Sequence, residues 1–157
     1  MEKIVGIGNY AVSNSKNDIL KTFSLASCVA LTVYCPSKNA SGMVHIALPA
    51  PDPLNDDSNK RPYYYATTAV PLLINRMCYE YRCNKNDLGI KLFGGADSIQ
   101  INDQFEIGKK NLYYIKEILD YMGLKNDASE TGGNCSRTLE MDVFTGKIKL
   151  TMQPIMI

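Results

Sequence analysis

Two side chains define the chemistry open to this 157-residue chain: the thiol of Cys28 and the imidazole of His45, the chain's single histidine. A thiol attacks near neutral pH only when its pKa is lowered or a base takes its proton, and imidazole titrates in the range where it can do so. Cysteine chemistry assisted by an imidazole would therefore run through His45. Cys28 stands in TFSLASCVAL (residues 22–31), directly after a polar, small-residue corner and ahead of an apolar run. Other chemistries have less to offer. The acidic residues fall in loops and on helix surfaces rather than as a facing pair, and there is no GxSxG elbow for a serine nucleophile. The GIG triplet at Gly6 to Gly8 lacks the third glycine of a dinucleotide loop, and Gly94–Gly95 lacks the Lys and Ser or Thr of a phosphate loop. Spacing alone leaves a second reading open, in which Cys28 is a small buried hydrophobe and His45, in MVHIAL, a satisfied core residue.

The elements that would have to position these two residues follow from periodicity and turn composition. Lys3–Val12 reads as a bent strand, Ile19–Leu25 as a second, Val29–Tyr34 as a third and Met43–Leu48 as a fourth. The turn at Pro36 to Gly42 makes the last two a hairpin, which brings His45 back alongside the stretch that holds Cys28. Pro49 to Pro62 carries four prolines and a polar run and reads as a loop on the rim of the same cleft. Tyr63–Tyr81 has helical spacing with Pro71 as a kink or restart, Gly89–Phe93 is a short strand, and Gly108–Met122 is a second helix stopped at Gly123. Arg137–Phe144 and Lys147–Met152 close the chain as strands around a turn at Thr145–Gly146.

Composition bounds the rest. At 45% hydrophobic and a formal net charge of +1, residues 1–157 are enough for one domain with one sizeable core, and no global field favours nucleic acid or an anionic membrane. No stretch approaches the roughly 18 apolar residues of a membrane span, and the first residues lack the pattern of a signal peptide. Five cysteines without metal-like grouping suit a reducing, cytoplasmic compartment with free thiols. Cys78 and Cys83 lack two further credible zinc ligands, so neither a metal nor a cofactor is expected. Cys35 ends a strand, Cys78 lies on the buried helical stripe, and Cys83 and Cys135 fall in polar surroundings with nothing to activate them.

Nearly the whole chain resembles the chemoreceptor glutamine deamidases of the CheD family. The resemblance is carried by VGIGNYAVS near the start, T-x-S-L-A-S-C-V-A from Thr22 through Cys28, G-M-V-H-x-x-L-P at Gly42 to Pro49 and YATTAV at Tyr65 to Val70. It continues in K-L-F-G-G-A at Lys91 to Ala96, I-G-x-x-N at Ile107 to Asn111, and E-T-G-G at Glu130 to Gly133 with Arg137 beyond. The resemblance implies an α/β fold, a layered α/β/β/α sandwich with mixed or antiparallel sheets similar to the catalytic domain of cytotoxic necrotising factors. It implies Cys28 as nucleophile, His45 as general base and acid, and Thr22 as the hydroxyl that orients the imidazole. Backbone N–H groups around Ser27 and Cys28 are the oxyanion candidates, with the Ser27 hydroxyl as a further donor. The implied substrates are glutamines in the cytoplasmic domains of chemotaxis receptors, and the implied partner is a CheC-type phosphatase. A reading of another class is a regulatory module that binds and stimulates that phosphatase without catalysis. The chain departs from the family pattern at Ser24 and Ala26, where glycines are usual, and at Thr67, Ser98, Lys110 and Glu130.

Overall fold

The computed structural model describes residues 1–97, 106–127 and 129–155. In chain order the elements are β1 (Glu2–Ile4), β2 (Tyr10–Ser13), β3 (Ile19–Leu25), β4 (Val29–Cys35), β5 (Ala40–Ile46), α1 (Ala66–Glu80), β6 (Gly89–Gly94), α2 (Ile107–Tyr121), β7 (Glu130–Thr131), β8 (Cys135–Asp142) and β9 (Ile148–Pro154). β4 and β5 are buried almost throughout, as their near-continuous apolar runs require of strands covered on both faces. They lie inside a five-stranded sheet ordered β2-β5-β4-β6-β7, and a four-stranded sheet ordered β1-β3-β8-β9 packs against it. Both sheets are mixed: β1 pairs with β3, and β6 with β7, in parallel, while the other pairings are antiparallel.

Residues of β4 alternate between two apolar clusters, following the period of two along a strand. Leu31 and Val33 join Val44 and Ile46 of β5 and the buried faces of α1 and α2, including Leu73, Ile74, Met77, Ile115 and Leu119. Ala30, with Met43 of β5 and Phe93 of β6, faces Leu20, Leu25, Leu139 and Met141 of the other sheet. The fold is thus a layered α/β sandwich in which both described helices cover the same side of the five-stranded sheet. Each fully buried Leu or Ile in these layers contributes roughly 2 kcal/mol relative to exposure.

The expected elements form, β7 is an additional short strand, and three further differences have a physical origin. The bent strand expected over residues 3–12 is two strands, β1 and β2, in different sheets, and the chain crosses between them through Gly8 at φ +74°. α1 passes through Pro71 as one helix. The carbonyl that proline leaves without an amide belongs to Thr67, which is exposed, so water can satisfy it. Cys83, expected in polar surroundings, is buried against the helical layer.

Candidate active site

The β4–β5 hairpin sets His45 directly across from Ala30, and Val29 across from Ile46. Cys28, immediately ahead of β4, packs half-buried against the cluster between the two sheets. Thr22 comes from the facing sheet, on β3, and is fully buried. The sheet-to-sheet packing therefore brings Thr22 against His45, and the hairpin places Cys28 two residues before Ala30, the cross-strand partner of His45.

Hydrogen bonds decide the state of the imidazole. The Thr22 hydroxyl donates to the carbonyl of Val5 at 2.6 Å, and its oxygen lies 2.8 Å from His45 Nδ1. A threonine hydroxyl has one hydrogen, and Val5 takes it, so toward the ring Thr22 is an acceptor and Nδ1 carries the proton. Nε2 is left as the unprotonated nitrogen, and it is buried with no hydrogen-bond partner among the described residues. Burial also lowers the pKa of His45 to about 4. The Cys28 thiol is shifted upward, chiefly by burial, against which its own backbone N–H acts in the opposite sense. Both groups rest neutral at pH 7. Thr22 and His45 are in contact, whereas Cys28 and His45 make no hydrogen bond in this structure.

The backbone around Cys28 is held from outside, one carbonyl at a time. Ala96 N–H donates to the Ala26 carbonyl at 2.7 Å, and Gly95 N–H to the Cys28 carbonyl at 2.9 Å. Between them, Asn111 Nδ2 donates to the Ser27 carbonyl at 3.0 Å and to the Ala47 carbonyl at 3.1 Å. The glycine that ends β6 is required by this approach. Gly94 has φ +106°, and a Cβ there would run into the Cys28 carbonyl oxygen. Arg137, 2% exposed, braces the next layer out by donating to the Gly132 carbonyl at 2.8 Å, with Glu130 3.6 Å away. Gly132 N–H in turn reaches the Gly94 carbonyl at 2.9 Å.

A cavity of about 140 Å³ opens beside this loop, lined by Ala26, Ser27, Ala96, Asp97 and Ile155. A wider groove of about 400 Å³ includes Gly8, Tyr10, Lys60, Arg61 and Tyr64. It adjoins the back of β5, since Gly8 N–H donates to the His45 carbonyl at 2.9 Å. The end of the proline-rich loop, Lys60 to Pro62, lines this groove and not the smaller cavity beside Ser27.

Of the departures from the family pattern, Ser24 stands at φ +57° in the irregular stretch of β3, and Ala26 lines the smaller cavity. Thr67 and Lys110 are exposed in the first turns of α1 and α2, Glu130 pairs with Arg137, and Ser98 lies outside the described residues. Sequence reasoning noted Asn111 only as a motif position and missed its two carbonyl contacts. The one available signal was an amide side chain at a position of α2 that faces the core. Among the described residues, no group of three or more His, Cys, Asp or Glu could hold a metal ion, and no helix is long and apolar enough to cross a membrane.

A family model described as CheD chemotactic sensory transduction matches residues 47–152, starting just beyond His45. Over 150 residues the chain is 39% identical to a probable chemoreceptor glutamine deamidase CheD of Syntrophotalea carbinolica, covering 94% of this chain and 92% of that protein. A protein of the same description from Thermococcus kodakarensis is 37% identical over 152 residues, covering 96% of this chain and 92% of its own length. Among solved structures, the hypothetical protein YfiH of Bacillus licheniformis aligns with 78% of this chain and 49% of its own, at 13% identity and a TM-score of 0.48.

Proposed function

The chain belongs to the CheD family, and from that premise we propose that it deamidates glutamine side chains in the cytoplasmic domains of chemotaxis receptors, working in the cytoplasm. Cys28 is the nucleophile, His45 the proton carrier and Thr22 the residue that fixes the ring. The observation that carries this reading is the forced tautomer: Thr22 gives its hydrogen to Val5 and accepts from Nδ1, which leaves Nε2 basic on the hairpin that flanks Cys28.

Because thiol and imidazole both rest neutral, no standing ion pair precedes the reaction, and the proton moves as the sulfur attacks. His45 Nε2 takes the Cys28 proton while the sulfur adds to the carboxamide carbon, and the carbonyl oxygen becomes an oxyanion facing the backbone N–H groups of Ser27 and Cys28. The imidazolium returns the proton to the amide nitrogen, the C–N bond breaks and ammonia leaves a thioester. Water then gives a proton to the same Nε2 and adds to the thioester. Collapse breaks the C–S bond, releases glutamate and restores the thiol. The net change is one amide and one water converted to one carboxylic acid and one ammonia. The same sequence of steps accommodates a methyl ester, with methanol as the leaving group.

The test is incubation of the purified protein with a receptor cytoplasmic fragment, following ammonia release and Gln-to-Glu conversion by peptide mass. Conversion that disappears in Cys28→Ala and in His45→Gln is the expected result. Full conversion by Cys28→Ala would overturn the mechanism. A CheC-type phosphatase is the proposed protein partner. Tight binding to it, with no conversion of any receptor fragment by the wild-type protein, would favour a regulatory module instead.

A further inference from the structure

On the deamidase reading above, we propose that Asn111 is a positioning residue for the reaction: it sets the plane of the Ser27–Cys28 peptide, so that the Cys28 N–H meets the oxyanion, and ties that peptide to Ala47, just past the strand that carries His45. A peptide unit is planar and trans, so its C=O and N–H point in opposite directions. Fixing the Ser27 oxygen therefore fixes the direction of the Cys28 N–H. The flanking peptides are set by backbone donors, Ala96 N–H on the Ala26 carbonyl and Gly95 N–H on the Cys28 carbonyl. The middle peptide, whose N–H belongs to the nucleophile itself, is set by a side chain.

Chemistry fixes the orientation of the Asn111 amide. Both of its partners, the Ser27 and Ala47 oxygens, are carbonyl acceptors, so the NH2 faces them and Oδ1 faces away. Asn111 is fully buried, and Oδ1 finds no partner among the described residues. Leaving a buried acceptor unpaired costs stability that an apolar residue here would not lose. An amide held at such a position for its two donors, one to the nucleophile's peptide and one just past His45, acts on geometry more than on packing. Its placement follows from α2, whose first turn is seated against the loop after β6. A Cβ at Gly108 would collide with the carbonyls of Gly95 and Ala96.

The test compares wild type with Asn111→Leu, which keeps the volume and removes both donors, in two reactions of the same thiol. Deamidation of a receptor fragment passes through an oxyanion. Alkylation of Cys28 by iodoacetamide is a displacement at carbon and forms none. The expected result is a fall in kcat of roughly 100-fold, the scale for loss of one oxyanion donor, with KM and the alkylation rate each within about threefold of wild type. An unchanged kcat overturns the inference, and so does a parallel loss of deamidation and alkylation, which would mark Asn111 as a brace of the fold alone. Asn111→Ala carries the same expectations if the leucine variant does not fold. Should wild type itself leave every receptor fragment unchanged, the deamidase reading falls while the peptide geometry is still tested. In 15N-labelled protein the Cys28 amide resonance must then shift in the variant, and an unmoved resonance overturns the assignment.

Discussion

Strand β4 has a cysteine at each end, and the two thiols live in opposite circumstances. Cys28, just ahead of the strand, is half-buried, with the carbonyls before and after it pinned and the β5 histidine on the neighbouring strand. Cys35, which ends the strand, is fully buried in the cluster under the helices. Its surroundings are Ser37, the carboxylate of Asp87 and a second thiol, Cys83, whose pKa is pushed up to about 12 by burial and by the Cys35 hydrogen bond. Burial raises the pKa of Cys28 and of Cys83 alike, so a raised pKa does not set Cys28 apart from the thiol under the helices. The difference is the neighbour. An imidazole with a free nitrogen can take a proton during attack, whereas a carboxylate, a hydroxyl and another thiol offer no comparable base near neutral pH.

The largest expected effect tests that contrast directly. Cys28→Ala and His45→Gln should each lower deamidation on the order of 10⁴-fold, the scale on which nucleophile and base fail as a unit. Cys35→Ala and Cys83→Ala should leave kcat/KM within about threefold and instead lower the unfolding free energy by about 1 kcal/mol in urea melts. A Cys83→Ala variant as inactive as Cys28→Ala would break the comparison.

The second effect concerns His45 and acid. Its folded pKa of about 4 lies below the ordinary value of 6.5, so the unfolded chain binds this proton first as pH falls. The stability is intact above pH 6.5 and is lost between 6.5 and 4, by roughly 3 kcal/mol in all. Urea melts at pH 7.5 and pH 4 should therefore show wild type losing more stability than His45→Gln by that amount. Equal losses would mean that the ring is not held neutral. At the other end of the scale, the pH profile of Cys28 alkylation should have its midpoint displaced upward from an ordinary thiol, because burial raises that pKa.

Thr22→Val comes next. It preserves the shape of the side chain but leaves the Val5 carbonyl and the Nδ1 hydrogen of His45 without the hydroxyl between them. About 2 kcal/mol of stability should go with that lost pairing. The imidazole is then free to choose the other tautomer, with its hydrogen on Nε2, and kcat should fall by roughly 10- to 100-fold. A variant with unchanged kcat would reduce Thr22 to a core hydrogen bond.

The legible part of this site was the part that lies along the chain. The β-branched run of β4, the turn after it and the return of β5 bring His45 back alongside the stretch that holds Cys28 by local rules alone; the structure keeps that hairpin, with the turn confined to Pro36 to Asn39 and Ala40 to Gly42 already paired in β5. The third member needed contact between two sheets. Neither periodicity nor spacing says that β3 pairs with β8 and turns Thr22 toward His45, and the family resemblance supplied that residue instead. Asn111 was illegible for the same reason at greater range, since α2 meets the Cys28 loop only through the tertiary fold. The split of residues 3–12 into strands of different sheets is also tertiary: the two halves have equal local propensity, and only the sandwich separates them.

The smallest effect separates two departures from the family pattern that look alike in sequence. Ser24 and Ala26 both replace glycines two residues apart, but the backbone treats them differently. Ser24 adopts φ +57°, where a Cβ crowds its own carbonyl, while Ala26 lies outside the left-handed region. Ser24→Gly should therefore raise stability by about 1 kcal/mol, the relief of left-handed strain exceeding the entropy that glycine adds to the unfolded chain. Ala26→Gly has no strain to relieve and should lower stability by a few tenths of a kcal/mol. Its gain is space, since Ala26 lines the 140 Å³ cavity beside Ser27, and the change should appear in KM for the receptor fragment rather than in kcat. If both glycines stabilise equally, the strain at Ser24 is absent in solution and the irregular turn of β3 is more permissive than its dihedral implies.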